Sequence, residues 1–166
     1  MKPVRIALLD DHAVVRHGLA NTLAAEANFD VVGIYEKSRD LLAGLVSAPP
    51  DLLLLDFSLS PDEMDGVSLI RALRVKFPSC QILVLSAHHV PATVALAMRV
   101  GARGLVGKGE DMTQVVKAIR KVVSGAVYLS TDMTYRLAET VTSETRKDPS
   151  EASDTLVQAE LTSREQ

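Results

Sequence analysis

The chain of 166 residues has little cysteine, no cluster of basic residues and no long apolar run. Its one cysteine, Cys80, excludes an internal disulfide framework and is typical of a reducing compartment. The formal net charge is −3, and without a basic helix face nothing indicates a nucleic-acid surface. No signal peptide precedes the first apolar run, and no stretch is long enough to span a bilayer. We therefore expect a cytoplasmic protein with no membrane contact.

Hydrophobic residues nevertheless make up 47% of the chain, which is enough for a globular core. The segment Asp51–Asp56 holds four consecutive leucines between two aspartates. Because this run has no polar face and ends at a Pro- and Asp-rich segment, it predicts a short strand buried on both faces. Ligands of such parallel sheets bind beyond the carboxyl ends of the strands. Asp56 is thus placed where an α/β fold does chemistry, although an aspartate there could also merely cap the next turn.

Strand and helix patterns alternate along the chain. Strands are predicted at 4–9, 29–34, 51–56, 81–85 and 103–107, and helices at 13–25, 38–46, 67–77, 93–100 and 112–124. This alternation predicts an α/β fold, a doubly wound parallel sheet of five strands with helices on both faces. Ser38 and Asp65 are the expected N-caps of the second and third helices.

The C-terminal part predicts an extension of this domain. We assign residues 1–127 to the α/β domain and expect an extra helix at 128–142, with Met133, Leu137 and Val141 on one face. Serine and threonine dominate the next stretch, and residues 143–160 are therefore predicted to form a flexible linker.

Chemically active side chains follow four of the five predicted strands: Asp10 with Asp11, Asp56, Ser86 and Lys108. Three carboxylates at one sheet edge repel one another, and this repulsion can be relieved by the lysine and by a divalent cation. All-oxygen ligation suits a hard ion, so Mg²⁺ is the natural cation. A carboxylate can act as nucleophile and carry a phosphoryl group, which a lysine and a serine hydroxyl can bind. Each residue alone has a structural explanation, but the set indicates a phosphoryl site.

The motifs LLDDH, LLLLDFSLSP, VLSA and GLVGK resemble those of the receiver domain of two-component response regulators, over residues 4–125. The resemblance implies a flavodoxin/CheY-like sheet of order 2-1-3-4-5. It also implies that the chain is not an enzyme with a separate substrate. The chain would instead be a phosphoryl acceptor that catalyses its own phosphorylation and dephosphorylation. The donor would be a histidine kinase or phosphotransfer protein. The implied site residues are Asp56 as phospho-acceptor, Lys108 as phosphate partner, Ser86 as switch hydroxyl, and Asp10, Asp11, Asp56 and the Ser58 backbone carbonyl as Mg²⁺ ligands.

The segments DDHAVVRHGL, VGARGLVGK and VVSGAVYLS are similar to the NarL/FixJ (LuxR-type) family of transcriptional regulators. Members of that family carry a helix-turn-helix domain after a linker, and residues 161–166 (LTSREQ) resemble the opening of that domain. The resemblance implies a homodimer on phosphorylation. It also implies DNA binding only through a C-terminal domain that is cut short here.

Three features depart from the usual receiver pattern. The loop from Asp56 to Gly66 looks about two residues longer, as in RcsB-like regulators. Leu105 stands where many receivers have an aromatic switch residue, and Gly109 replaces the proline that often follows the lysine. The first two departures motivate an alternative, a phosphorylation-independent receiver acting by protein contacts. A hydrolase with an aspartyl nucleophile is a third reading, but Phe57 and Ser58 supply no acid or base beside Asp56.

Overall fold

A computed structural model of the chain describes residues 2–87 and 90–145. The strands are β1 (Val4–Leu9), β2 (Phe29–Tyr35), β3 (Leu52–Asp56), β4 (Gln81–Ser86) and β5 (Gly104–Gly107). The helices are α1 (Ala13–Ala25), α2 (Ser38–Ser47), α3 (Gly66–Lys76), α4 (Pro91–Val100), α5 (Met112–Val123) and α6 (Thr131–Thr145). All strand pairs are parallel, in the order β2-β1-β3-β4-β5. The predicted doubly wound fold and strand order are confirmed.

Strand β3 is the centre of the sheet and is buried along its whole length. Because successive side chains of a strand point to opposite faces, its leucines divide between two cores. Leu53 and Leu55 pack with side chains of α2, α3 and α4, whereas Leu52 and Leu54 pack with side chains of α1 and α5. The leucine run is therefore apolar on both faces for the reason the sequence indicated.

The two predicted helix caps have different outcomes. Asp65 is the N-cap of α3, and its carboxylate accepts a hydrogen bond from the Ser68 N–H at 3.0 Å. Ser38 is not the N-cap of α2, because Lys37 occupies that position and Ser38 is already helical. The Ser38 N–H instead donates to the Glu63 carboxylate at 2.9 Å. The cap comes from a distant loop, which local sequence could not reveal.

The chain returns to the sheet after α5. Tyr128 forms a parallel bridge with Gly104, and the Leu105 N–H donates to the Tyr128 carbonyl at 3.1 Å. A Cβ on Gly104 would lie 2.8 Å from the Tyr128 carbonyl oxygen, so this position requires glycine. The strand edge is thus covered by the segment that leads into α6.

Helix α6 is longer than the predicted extra helix. Met133 is 1% exposed and Leu137 is partly buried against the core, whereas Val141, further along the helix, is 65% exposed. Residues 143–145, which were expected to begin the linker, are helical. The rest of the predicted linker and residues 161–166 lie outside the described residues. Within the described part of the chain, no helix is long and apolar enough to cross a membrane.

Candidate functional site

The carboxyl ends of β1, β3, β4 and β5 bring the predicted side chains to one edge of the sheet. Asp10 directly follows β1, Asp56 and Ser86 end β3 and β4, and Lys108 follows β5. Asp10, Asp56 and Ser86 are each at most 1% exposed. The Lys108 N–H donates to the Ser86 carbonyl at 2.9 Å, which fixes the backbone of the lysine beside the end of β4.

The Lys108 ammonium lies between two buried carboxylates. Its Nζ is 2.9 Å from Asp10 Oδ2 and 3.0 Å from Asp56 Oδ2. Burial alone would lower the pKa of Lys108, but the two carboxylates outweigh burial and raise the pKa above its ordinary value. The lysine therefore stays a cation and neutralises part of the acid cluster.

The Asp56 carboxylate contacts the loop that follows it as well as Lys108. The Ser58 N–H donates to Asp56 Oδ1 at 3.0 Å, and the carboxylate is fully buried. Burial raises the pKa of Asp56, and the charge of Asp10 adds to this effect, while Lys108 and the Ser58 N–H oppose it. This carboxylate is shielded from water yet paired with a cation.

Asp11 is the most accessible of the three acids. Its side chain is 19% exposed, and Oδ2 accepts a hydrogen bond from the Ser60 hydroxyl at 2.7 Å. Burial raises the pKa of Asp11, but the Ser60 hydrogen bond and the neighbouring His12 outweigh burial, and the pKa is lowered overall. Asp11 is thus the acid of the three that is most open to solvent.

The cluster has the donor set of a metal site. One ligand atom from each of Asp10, Asp11, His12 and Asp56 can be chosen so that all lie within 4.8 Å of one another. Asp10 Oδ2, Asp11 Oδ1 and Asp56 Oδ2 are shielded from solvent, the first and last of them beside the Lys108 ammonium and Asp11 Oδ1 beside His12. Three carboxylates beside one ammonium group leave negative charge that a hard divalent cation could neutralise, and their oxygens are the ligands such a cation prefers.

Three residues around the cluster were not predicted. His12 Nδ1 lies 3.0 Å from Asp11 Oδ1 and 3.1 Å from Asp10 Oδ1, and Arg16 donates to the Asp10 carbonyl at 2.7 Å. Ser60 reaches Asp11 from the loop that follows β3. Adjacency to the acid pair could have pointed to His12, but Ser60 is forty-nine positions from Asp11, and only the tertiary fold brings them together.

The remaining predicted positions are Ser58, Leu105 and Ser86. Ser58 follows Asp56 by two residues and contacts it through its N–H, while the role of its carbonyl stays a prediction. Leu105 is 6% exposed and packs on the α4 and α6 side of the sheet with Val94, Ala97 and Met133. Ser86 pairs with Gly107 in register, one residue before Lys108.

A doubly wound sheet with an acid cluster and a lysine at its carboxyl edge has its charged groups where open α/β sheets bind their ligands. The chain belongs to the response regulator receiver domain family, whose model matches residues 6–120. It is a receiver domain of the NarL/LuxR type of two-component response regulators.

Curated relatives support this assignment. The transcriptional regulatory protein UhpA of Salmonella typhimurium is 34% identical over 135 residues, which cover 81% of this chain and 66% of UhpA. The oxygen regulatory protein NreC of Staphylococcus carnosus is 28% identical over 151 residues, covering 91% of this chain and 69% of NreC. The match therefore spans about two thirds of the length of these relatives.

Solved structures share the fold. The isolated receiver domain of RcsB from Salmonella enterica, solved with the phosphomimetic BeF₃⁻, has a TM-score of 0.75 at 27% identity and covers 82% of this chain and 99% of that domain. The receiver domain of the response regulator NarL from Mycobacterium tuberculosis has a TM-score of 0.70 at 32% identity and covers 75% of this chain and 99% of that domain. RcsB bound to the flhDC promoter gives 0.78 at 26% identity, covering 96% of this chain and 78% of that chain.

Proposed function

We propose that Asp56 accepts a phosphoryl group from a histidine kinase or phosphotransfer protein. The observation that carries the proposal is the fully buried Asp56 carboxylate, with Oδ2 at 3.0 Å from Lys108 Nζ. Family membership supports the same role, because receiver domains work with histidine kinases.

The reaction forms one bond and breaks one. An oxygen of the Asp56 carboxylate attacks phosphorus, and the bond from phosphorus to the donor nitrogen or acyl oxygen breaks. The electron pair of that bond leaves with the donor. Lys108 neutralises charge on the phosphoryl oxygens as a point charge, and the Ser58 N–H fixes the orientation of the carboxylate. In a separate reaction, water would attack the phosphorus of the acyl phosphate and the Asp56 carboxylate would leave with the bonding electron pair, which would give the domain its own dephosphorylation.

Asp10, Asp11, Asp56 and the Ser58 carbonyl would hold Mg²⁺. The three carboxylates are buried or partly buried beside a single ammonium group, and the hardness of their oxygens favours Mg²⁺ over softer metals. When bound, Mg²⁺ neutralises the charge that develops on the transferring phosphoryl group.

Phosphorylation would change the surface through which two copies of the chain associate. Ser86, at the end of β4, would bind a phosphoryl oxygen, and Leu105 packs with side chains of α4 and α6. Repacking there would alter how two copies of the chain associate. RcsB relatives have been solved as dimers on DNA, and UhpA is a transcriptional regulator. By analogy, this receiver would act in the cytoplasm on an attached helix-turn-helix domain, which alone would contact DNA.

A second candidate is a receiver that acts by protein contacts without phosphorylation. Leu105 favours it, because no aromatic side chain stands there to follow the hydroxyl of Ser86. The complete set of Asp10, Asp11, Asp56 and Lys108 favours phosphorylation instead.

A measurement of intact mass after incubation with acetyl phosphate and Mg²⁺ distinguishes the phosphorylated receiver from the phosphorylation-independent one. We expect wild type to gain one phosphoryl group and Asp56→Asn to gain none. Asp62→Asn removes an exposed acid of the neighbouring loop and should behave as wild type. A folded wild-type protein that gains no mass would overturn the proposal and favour the second candidate.

A further inference from the structure

The loop between β3 and α3 is tied to the rest of the molecule at two points. The Ser60 hydroxyl donates to Asp11 Oδ2 at 2.7 Å. The Glu63 carboxylate accepts from both the N–H and the hydroxyl of Ser38, the N–H at 2.9 Å. Within the loop, the Glu63 N–H donates to the Ser60 carbonyl at 2.9 Å and closes a turn with Pro61 in its second position. Serine and proline are favoured in these places of a β-turn, and the turn connects the two ties directly.

The first tie selects which oxygen of Asp11 faces the acid cluster. Because Ser60 occupies Oδ2, the other oxygen, Oδ1, is left for the cluster, where it is shielded from solvent and lies 3.0 Å from His12 Nδ1. Partners behind a metal ligand commonly fix its orientation in this way. Ser60 is therefore placed to present one Asp11 oxygen to a cation.

The second tie fastens the loop to a rigid element. The N-cap residue of α2, Lys37, makes no side-chain capping bond, and the Glu63 carboxylate supplies it. A carboxylate at a helix N-terminus is also favoured by the helix dipole. Helix α2 is anchored in the core by Leu41 and Leu45, both fully buried. The position of Ser60 thus depends on α2 through Glu63.

We propose that Ser60 is a positioning residue for the divalent cation and that the Glu63–Ser38 contact holds it in place. The inference rests on the magnesium site proposed above, and it assigns a role to the lengthened loop. Ser60 touches Asp11 and acts through it, so loss of its hydroxyl should change affinity for the cation.

A titration with MgCl₂, followed by the amide NMR signals of the whole chain, tests the first tie. In Ser60→Ala we expect the Kd for Mg²⁺ to rise about tenfold, the lower end of the usual cost of losing a partner behind a metal ligand. Ser60→Thr keeps the hydroxyl and should keep the wild-type Kd. Ser47→Ala, an exposed serine at the end of α2, is the matched control. A purely structural role for Ser60 would lower the Tm measured without Mg²⁺ and leave the Kd unchanged.

A second pair of variants tests the other tie. Glu63→Ala and Asp62→Ala remove the same charge from adjacent positions, but only Glu63 holds Ser38. We expect a higher Kd for Mg²⁺ in Glu63→Ala than in Asp62→Ala, and this pair decides the question if Ser60→Ala does not fold. Equal Kd values for Mg²⁺ in wild type and these variants would overturn this inference but not the proposed metal site. Absence of Mg²⁺ binding in wild type would overturn the proposed metal site and the inference with it.

Discussion

Lys108 and Asp56 meet across the sheet although their strands are not neighbours: Lys108 Nζ lies 3.0 Å from Asp56 Oδ2. Strand β4 separates β3 from β5 in the sheet order, and the lysine side chain reaches across the end of β4. The same ammonium is 2.9 Å from Asp10 Oδ2. The ammonium group of Lys108 therefore pairs with two buried carboxylates, while Asp11 lies nearer to solvent.

The first prediction concerns this cation. Lys108→Met keeps the aliphatic stem and removes the charge, so Asp10 and Asp56 are left buried without their partner. We expect the free energy of unfolding at neutral pH, without Mg²⁺, to fall by about 3 kcal/mol, as when a buried ion pair loses one member. Urea unfolding measures this. Lys117→Met, at an exposed position of α5, should stay within about 0.5 kcal/mol of wild type, and an equal loss in both variants would contradict the prediction.

The second prediction concerns α6. Met133 is buried against α4 and β5, so we expect α6 to unfold together with the receiver core. Met133→Ala should lower the free energy of unfolding by about 2–5 kcal/mol, the usual cost of truncating a buried methionine. Val141→Ala, at a position that is 65% exposed, should change it by less than about 0.5 kcal/mol. Similar small effects of both substitutions in urea unfolding would show that α6 is not part of the core.

The third prediction concerns the pH dependence of stability. The two hydrogen bonds from Ser38 hold the pKa of Glu63 below its ordinary value. A carboxylate with a lowered pKa stabilises the fold when ionised, so its contribution is complete above its unfolded-state pKa and disappears as pH falls through the lower folded value. The Tm of wild type should exceed that of Glu63→Gln at pH 6–7, and the gap should close below about pH 4.

Thermal unfolding followed by circular dichroism between pH 3 and 7 provides this comparison. Asp62→Asn removes an exposed acid beside Glu63 and should show no such pH-dependent gap. A gap between wild type and Glu63→Gln that is constant with pH would mean that the charge of Glu63 does not matter.

Local sequence determined the elements and much of the candidate site. The four leucines of β3 have no polar face, so both faces had to be covered by helices. Because parallel strands end at one edge, the aspartates, serine and lysine that follow them had to converge there. Asp65 also capped its own helix, since this contact spans only three residues.

Only the tertiary structure decided the contacts between distant segments. Ser38 was expected to cap α2, but Glu63, which is twenty-five positions away, provides the cap, and Ser60 reaches Asp11 across forty-nine positions. Such pairs depend on how loops pack over the finished sheet, and neither spacing nor composition encodes that packing. Likewise, Met133 and Val141 are both apolar residues of α6, and only the packing of the helix on the core decides that Met133 is buried and Val141 is not. Sequence thus set the strands and the residues at their ends, whereas packing set the partners that hold those residues in place.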